Sequence, residues 1–195
     1  MSPLRVEEER TVTPWGSRRL EEVTSIGIRQ FRLDDAEAMW QGARESINEL
    51  TRWMVWCKSD YSLEKSAAFI SRCAREWEEK RSYSFVIFNQ EDASFLGSVG
   101  LNGIDCAHKV ANVGFWVRTK QTGRGVATAA IGLAIRFAFN QTELNRLEFV
   151  VPVGNHRSQR AVEKNGATRE GLLRKRVILE GEPTDALMYA IVKED

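Results

Sequence analysis

The segment Thr122-Gly123-Arg124-Gly125-Val126-Ala127-Thr128 constrains this chain most, because it joins a strand-like run, Val113 to Val117, to a helix-like run, Val126 to Phe139. Glycines at such a junction permit a tight turn and bring backbone amides together where a helix begins. The first N–H groups of a helix have no intrahelical partner and share the positive end of its dipole. A strand, a glycine turn and a helix start in this order therefore favour a bound phosphate, and the glycines let a pyrophosphate approach the backbone.

Three phosphate-binding turns compete for the segment. A Walker A loop needs Lys and then Ser or Thr after its second glycine, whereas Gly125 is followed by Val126. A dinucleotide fingerprint needs a third small residue where Thr128 stands and a carboxylate at the end of the next strand, which here reads Val151-Pro152-Val153. The third is a coenzyme A loop, in which the turn follows a strand whose free backbone edge pairs with pantetheine amides. Sequence context favours this third reading.

The downstream run Asn155-His156-Arg157-Ser158-Gln159-Arg160-Ala161-Val162-Glu163-Lys164-Asn165-Gly166-Ala167, taken with the glycine loop, resembles the GNAT N-acetyltransferase superfamily. There a Gln or Arg, two residues, Gly, one residue and Gly or Ala form the coenzyme A loop; Gly125 and Ala127 match, and Thr122 stands at the Gln or Arg position. The runs Leu101-Asn102-Gly103-Ile104-Asp105, Asn112-Val113-Gly114-Phe115-Trp116-Val117 and Glu170-Gly171-Leu172 are similar to the Rim group of ribosomal-protein N-terminal acetyltransferases. The resemblance spans residues 26 to 192, with its anchor motifs between Asn102 and Gly171. It implies a mixed α/β fold with a mostly antiparallel central sheet of six to seven strands flanked by helices. It also implies acetyl-CoA as cosubstrate.

Composition agrees with one such domain: 195 residues suffice for a sizeable core without disulfides or metal. Residues 1–22 read as a charged N-terminal extension with little periodicity, and 23–195 as the domain. With 28 basic and 27 acidic residues, the net charge of +1 shows no basic excess that would advertise a nucleic acid. No apolar run reaches the roughly 18 residues of a membrane span, and the start through Arg10 lacks a signal-peptide core, so a cytoplasmic chain is expected. Cys57, Cys73 and Cys106 show no metal-ligand spacing with His108 or His156 beyond the lone Cys106-Ala107-His108, and no metal is expected.

Periodicity places a strand at Ile26 to Phe31, then a helix capped by Asp34 or Asp35 and running to Ile47, with Trp53 to Trp56 as a connector. Leu63, Ala67, Ile70, Ala74 and Trp77 stripe a helix from Leu63 to Lys80. A meander follows at Tyr83 to Asn89, Phe95 to Asn102 and Ala111 to Val117. The helix after the glycine loop is apolar on most sides. Arg146 to Val153 forms the next strand, Ser158 to Asn165 a short helix stopped by Gly166, and Thr168 to Leu179 and Ala186 to Val192 the last strands.

The resemblance implies direct attack of an amine on the thioester of acetyl-CoA. Family geometry assigns the oxyanion donor to the backbone N–H near Val117, a type of donor worth roughly 3 kcal/mol. Ser158 stands where the family's Ser protonates the coenzyme A thiolate, a part Tyr plays in other members, and its alternative is to cap the helix of residues 159–165. Asn155 matches the Asn that contacts pantetheine or positions the loop; its alternative is an ordinary turn residue. Cofactor contacts are thus expected from Val117, Thr122, Gly123, Arg124, Gly125, Val126, Ala127, Thr128, Asn155 and Ser158.

No general base stands out. Where some Rim relatives carry a Glu after the Glu-Gly pair, this chain reads Arg174-Lys175-Arg176-Val177. Glu148 and Asp105 are weaker candidates, more readily surface carboxylates, and Cys106 with His108 needs no catalytic explanation because direct transfer uses no acetyl-enzyme. An α-amine, with pKa about 7.7 to 8.0, needs less help than a Lys side chain at about 10.4. Arg174, Lys175 and Arg176 suggest an attraction for an acidic peptide or for the adenosine 3′-phosphate, against the plainer reading of a solvated basic strand. Trp40, Trp53, Trp56 and Trp77 fall in the region that walls the acceptor site in the superfamily, although core packing is the commoner use of Trp. The expectation is acetyl transfer to a protein N-terminus by a monomer or homodimer. Small amines such as a polyamine or aminoglycoside, and a non-catalytic acyl-CoA sensor, are the alternatives.

Overall fold

The computed structural model describes residues 25–193, so the expected extension at 1–22 lies outside the described residues. Seven strands form one sheet: β1 (Ile26–Gln30), β2 (Tyr83–Asn89), β3 (Phe95–Asp105), β4 (Val110–Val117), β5 (Arg146–Pro152), β6 (Thr168–Leu179) and β7 (Glu182–Val192). Five α-helices accompany them: α1 (Ala36–Glu45), α2 (Ile47–Trp53), α3 (Leu63–Glu78), α4 (Val126–Gln141) and α5 (His156–Glu163). Strand order is β1-β2-β3-β4-β5-β7-β6, and every neighbouring pair is antiparallel except β4 with β5. The mixed, mostly antiparallel sheet of the sequence analysis is thus present.

Alternation along the strands divides the core into two layers. Phe85 and Ile87 turn to one face with Val99, Leu101 and Val113, where they meet Ala130, Ile131 and Ala134 of α4. Val86 and Trp116 turn to the other, where Met39 and Ala43 of α1 and Ile70 and Cys73 of α3 cover them. The high apolar content of α4 is explained by its place against β1, β3 and β4. Burying a side chain such as Ile131 or Leu101 stabilises the domain by about 1.5–3 kcal/mol.

Two early boundaries differ from expectation. Asp35 is the N-cap residue of α1, which begins at Ala36, but its side chain makes no capping bond to that helix and instead closes a 3-10 turn, Leu33–Asp35. Burial alone would raise the Asp35 pKa, but hydrogen bonds from Arg29 at 2.6 and 2.7 Å and from the Arg32 N–H at 2.7 Å hold it below the usual carboxylate range. Nor does the helical segment end at Ile47. It breaks at Ser46 and continues as α2 through Trp53, so Trp53 belongs to a helix rather than to a connector. Ser46 is buried and its hydroxyl accepts from the Thr119 N–H at 3.0 Å, a tertiary bond that local sequence does not encode.

Candidate active site

The site begins where β4 and β5 part. Their parallel pairing comprises Val110 with Arg146, Ala111 with Leu147 and Asn112 with Glu148, and stops there. Beyond it β5 stays paired with β7 through Pro152, and β4 stays paired with β3 through Val117. The strands therefore splay, leaving one backbone edge of β4 uncovered. Arg118 donates its N–H to Leu96 at 2.8 Å, so the alternating antiparallel ladder turns Trp116 and Gly114 toward β3 as well. Phe115 and Val117, the intervening residues, present their N–H and C=O groups to the splay.

Gly97 secures this arrangement from the far side of β4. It lies opposite Val117, and a Cβ there would collide with the Trp116 carbonyl oxygen and stand 2.9 Å from Val117 Cα. Only glycine admits such close backbone approach.

At the end of β4 the chain makes a 3-10 turn, Thr119–Gln121, then the glycine loop, and enters α4. Gly123 and Gly125 occupy the left-handed region, with φ of 80° and 83°. Gly125 is the residue before α4, and its carbonyl accepts from Ala129 at 2.9 Å. No hydrogen bond among the described residues engages the N–H groups of Val126, Ala127 and Thr128, and no side chain caps the helix. These donors and the dipole converge on an open anion cradle. Thr122, at the family's Gln or Arg position, donates its hydroxyl to the Thr119 carbonyl at 2.8 Å, which braces the turn. Arg124 is exposed beside it.

Across the splay, the loop after β5 leads into α5. Asn155 is the residue before that helix, and its side-chain oxygen accepts from the Ser158 N–H at 3.2 Å. The cap is therefore Asn155, and Ser158 sits in the first turn rather than ahead of a helix starting at residue 159. Its side chain lines the cleft half-buried, with no hydrogen bond to its hydroxyl among the described residues. Asn165, beyond α5, donates to the Thr128 carbonyl at 3.1 Å and the Ala161 carbonyl at 2.9 Å, fastening α5 to the start of α4.

These pieces line a cleft of about 720 Å³ that includes Phe115, Val117, Thr122, Gly123, Gly125, Val126, Ala127, Thr128, Asn155 and Ser158. Arg124 is the one expected cofactor residue outside that lining. Over the cleft lies α2, a feature the sequence analysis missed. Glu49 accepts from the Thr119 hydroxyl at 3.0 Å on the β4 side and pairs with Arg157 at 3.4 Å on the β5 side. Trp53 comes to 3.5 Å from where a Gly154 Cβ would stand. Behind them Glu45 meets Arg118 at 2.5 Å and Lys120 at 3.4 Å; the Arg118 guanidinium holds its carboxyl below the usual range. The apolar period of α2, Ile47, Leu50 and Trp53, is only two turns long, and Ser46 separates it from α1.

Charge in the cleft is uneven. Arg52, Arg157, Arg160 and Lys164 line it, against the single carboxylate of Glu49. A chain of free helix-start amides, two left-handed glycines and surrounding cations fits a diphosphate, and the open β4 edge fits an extended amide chain continuing from it.

Other candidates fall away from this place. Glu148 accepts from Arg146 at 2.9 Å, and the same guanidinium grips Glu170 at 2.9 and 2.5 Å, holding Glu170 below its ordinary pKa. Asp105 accepts from the His108 N–H and lies 2.9 Å from its ring, on an exposed turn; that backbone bond first, then the ring, lowers its pKa. Cys106 is exposed on the same turn, outside the cleft lining. Asn102 and Asn112 hydrogen-bond across β3 and β4 at 3.0 Å, a scaffold role. Trp116 borders the cleft, but its side chain packs as core against Phe95 and Trp56; Trp77 joins Tyr83, Phe85 and Phe137, and Trp40 lies under Arg44. Trp53 alone of the four helical-region tryptophans lines the cleft. No group of three or more His, Cys, Asp or Glu among the described residues is arranged to hold a metal ion. No helix among them is long and apolar enough to cross a membrane.

A splayed parallel pair in a mixed sheet, with an anion cradle at the exit of one strand, defines an acyl-CoA-dependent acyltransferase architecture. Residues 25–168 match the family described as acetyltransferase (GNAT) domain, and the chain belongs to that family. It is an N-acetyltransferase of the GNAT type. It is 28% identical over 172 residues to YoaA of Bacillus subtilis, described as an uncharacterized N-acetyltransferase, covering 88% of this chain and 96% of that one. It is 27% identical over 113 residues to the ribosomal-protein-serine acetyltransferase of Escherichia coli, covering 57% and 62%. The structure of Mycobacterium smegmatis RimJ, solved with a coenzyme A disulfide, superposes with a TM-score of 0.79 at 28% identity, over 86% of this chain and 81% of that one. The Rim-like resemblance agrees with these relatives.

Proposed function

We propose that this enzyme transfers the acetyl group of acetyl-CoA to a protein N-terminal α-amine, of the kind acetylated on ribosomal proteins. Acetyl-CoA is the donor, and the cradle at Gly125–Thr128 with the uncovered edge of β4 supports its placement. In this reading the N–H groups of Val126, Ala127 and Thr128 hold the diphosphate, with Arg124 at the rim, and Thr122 and Gly123 shape the turn. Phe115 and Val117 donate to the pantetheine and to the thioester oxygen as negative charge develops there. Because both residues turn their N–H groups into the splay, the oxyanion donor is one of this pair rather than Val117 by default.

The acceptor nitrogen attacks as the free amine, forming a C–N bond as the C–S bond breaks. Its surplus proton leaves to water, which suffices for an α-amine whose pKa is about 8. Ser158 donates its hydroxyl proton to the leaving sulfur and regains one from the water that took the amine's surplus proton, so coenzyme A leaves as the thiol; Asn155 sets the helix turn that carries Ser158.

One observation supports the acceptor class: Glu49 is the single carboxylate lining the open cleft, and it is already paired with Arg157 at 3.4 Å. A polyamine or aminoglycoside, itself polycationic, finds no acidic pocket there to hold it, whereas a polypeptide bearing one amine needs none. The test measures coenzyme A release by thiol titration with N-terminal peptides of ribosomal proteins, the same peptides blocked at the α-amine, and a set of polyamines and aminoglycosides. Turnover is expected with free N-termini alone. Turnover confined to the small polyamines would overturn the proposal.

A further inference from the structure

We propose that a basic bulge on β6 reads acidic residues of the acceptor polypeptide a few positions beyond its reacting N-terminus. This inference rests on the reading of the acceptor as a protein N-terminus. Leu173 pairs with Ala186 and Val177 with Thr184, so Arg174, Lys175 and Arg176 together oppose Asp185 alone. Such a bulge re-aims side chains and ends regular pairing. Lys175 adopts φ 51°, in the left-handed region, and its N–H donates to Asp185 Oδ1 at 2.7 Å, which locks the bulge. All three cationic side chains are exposed, and none forms an ion pair among the described residues. Asp185 offsets one of the three charges, so the patch stays positive.

Its place in the sheet connects it to the cleft. The Asp185 carbonyl accepts from the Val153 N–H at 3.1 Å, and Val153 leads directly into Gly154 and Asn155 of the cleft wall. The bulge thus lies across β7 from the exit of β5, about 10 Å away at two strand spacings. An extended peptide advances about 3.3 Å per residue, which sets acidic side chains at roughly the third to sixth acceptor residues against the bulge. Cleft cations on the α5 side and the bulge on the β6 side would both repel a basic segment leaving the mouth.

The test uses the full chain and two peptides with the same first two residues, one carrying Asp and Glu at positions three to six and the other Asn and Gln. Peptide binding is followed by fluorescence anisotropy and turnover by coenzyme A release. The acidic peptide is expected to show roughly a five- to tenfold lower Kd and KM, an advantage that fades as salt rises from about 50 to 300 mM. In R174Q/R176Q that advantage disappears, while KM for acetyl-CoA stays unchanged. Equal values for the two peptides in the wild-type chain would overturn the inference and leave the N-terminal acceptor standing. A rise in KM for acetyl-CoA in R174Q/R176Q, with no change for the peptides, would instead give the bulge to the cofactor's 3′-phosphate and overturn it too. Turnover of neither peptide, with small amines accepted, would overturn the acceptor reading itself.

Discussion

Gly125→Trp separates the cost of a backbone conformation from the cost of a blocked site. Gly125 holds φ 83° and ψ −3° immediately before α4. Any L-residue in the left-handed region costs about 1–2 kcal/mol. At roughly 2–4 °C per kcal/mol for a chain of this size, the melting temperature should fall by about 2–8 °C. Binding should suffer far more, because the indole would stand in front of the free N–H groups of Val126, Ala127 and Thr128. A hydrogen bond to a charged group contributes about 1.5–3 kcal/mol, so losing two weakens acetyl-CoA binding about a hundredfold or more. Gly123→Ala supplies the comparison, since it has nearly the same φ, 80°, but its Cβ would meet nothing within 4 Å. It should melt lower by a similar amount and bind acetyl-CoA within about threefold of the unaltered chain, a difference under 1 kcal/mol. Calorimetric titration beside thermal melting reads both quantities. If Gly125→Trp melts as calculated yet binds within that same threefold, the helix start is not the phosphate site.

Ser158→Ala should lower kcat about tenfold or more with little change in KM for acetyl-CoA, because a proton donor to the leaving group acts only in the transition state; steady-state kinetics checks this. Arg118→Ala should destabilise by about 2–3 kcal/mol by urea unfolding, less than for a fully buried pair because Arg118 keeps 28% of its side chain exposed. Since the Glu45 pKa is lowered in the folded state, the contribution of that pair is present above the unfolded carboxylate pKa of about 4.3 and is lost as pH falls through the folded value. Glu45→Gln should therefore flatten the acid side of the stability profile. Maleimide at neutral pH should label Cys106 in the folded chain and all three cysteines after unfolding, because Cys57 and Cys73 are buried and burial pushes the Cys57 thiol up to about 11; mass spectrometry counts the labels.

Much of the candidate cleft was legible because its elements are local. The glycines, the strand before them and the apolar helix after them lie within thirty residues of one another, and the Asn155 to Gly166 run carries its own cap and stop. Short-range periodicity also placed most strands and α3 and α4 close to their observed limits. What stayed hidden depends on partners far along the chain. The bond from Thr119 to Ser46, the Glu45 to Arg118 pair and the Glu49 contacts joining residues 70 to 108 positions apart carry α2 over the cleft.

Sequence alone determined the strand–turn–helix cradle, because left-handed glycines and a helix start are properties of consecutive residues. It also determined the alternating faces of the strands. Tertiary structure alone decided that β7 inserts between β5 and β6, and that the β4 and β5 pairing ends at Asn112 and Glu148 to open the splay. It likewise decided that Arg174 to Arg176 bulge out beside the exit of β5, and that Glu148 and Glu170 both pair with Arg146. The physical reason is range: backbone conformation is set by neighbours in sequence, whereas strand order, pairing length and the partner of a charge depend on which distant surfaces pack together.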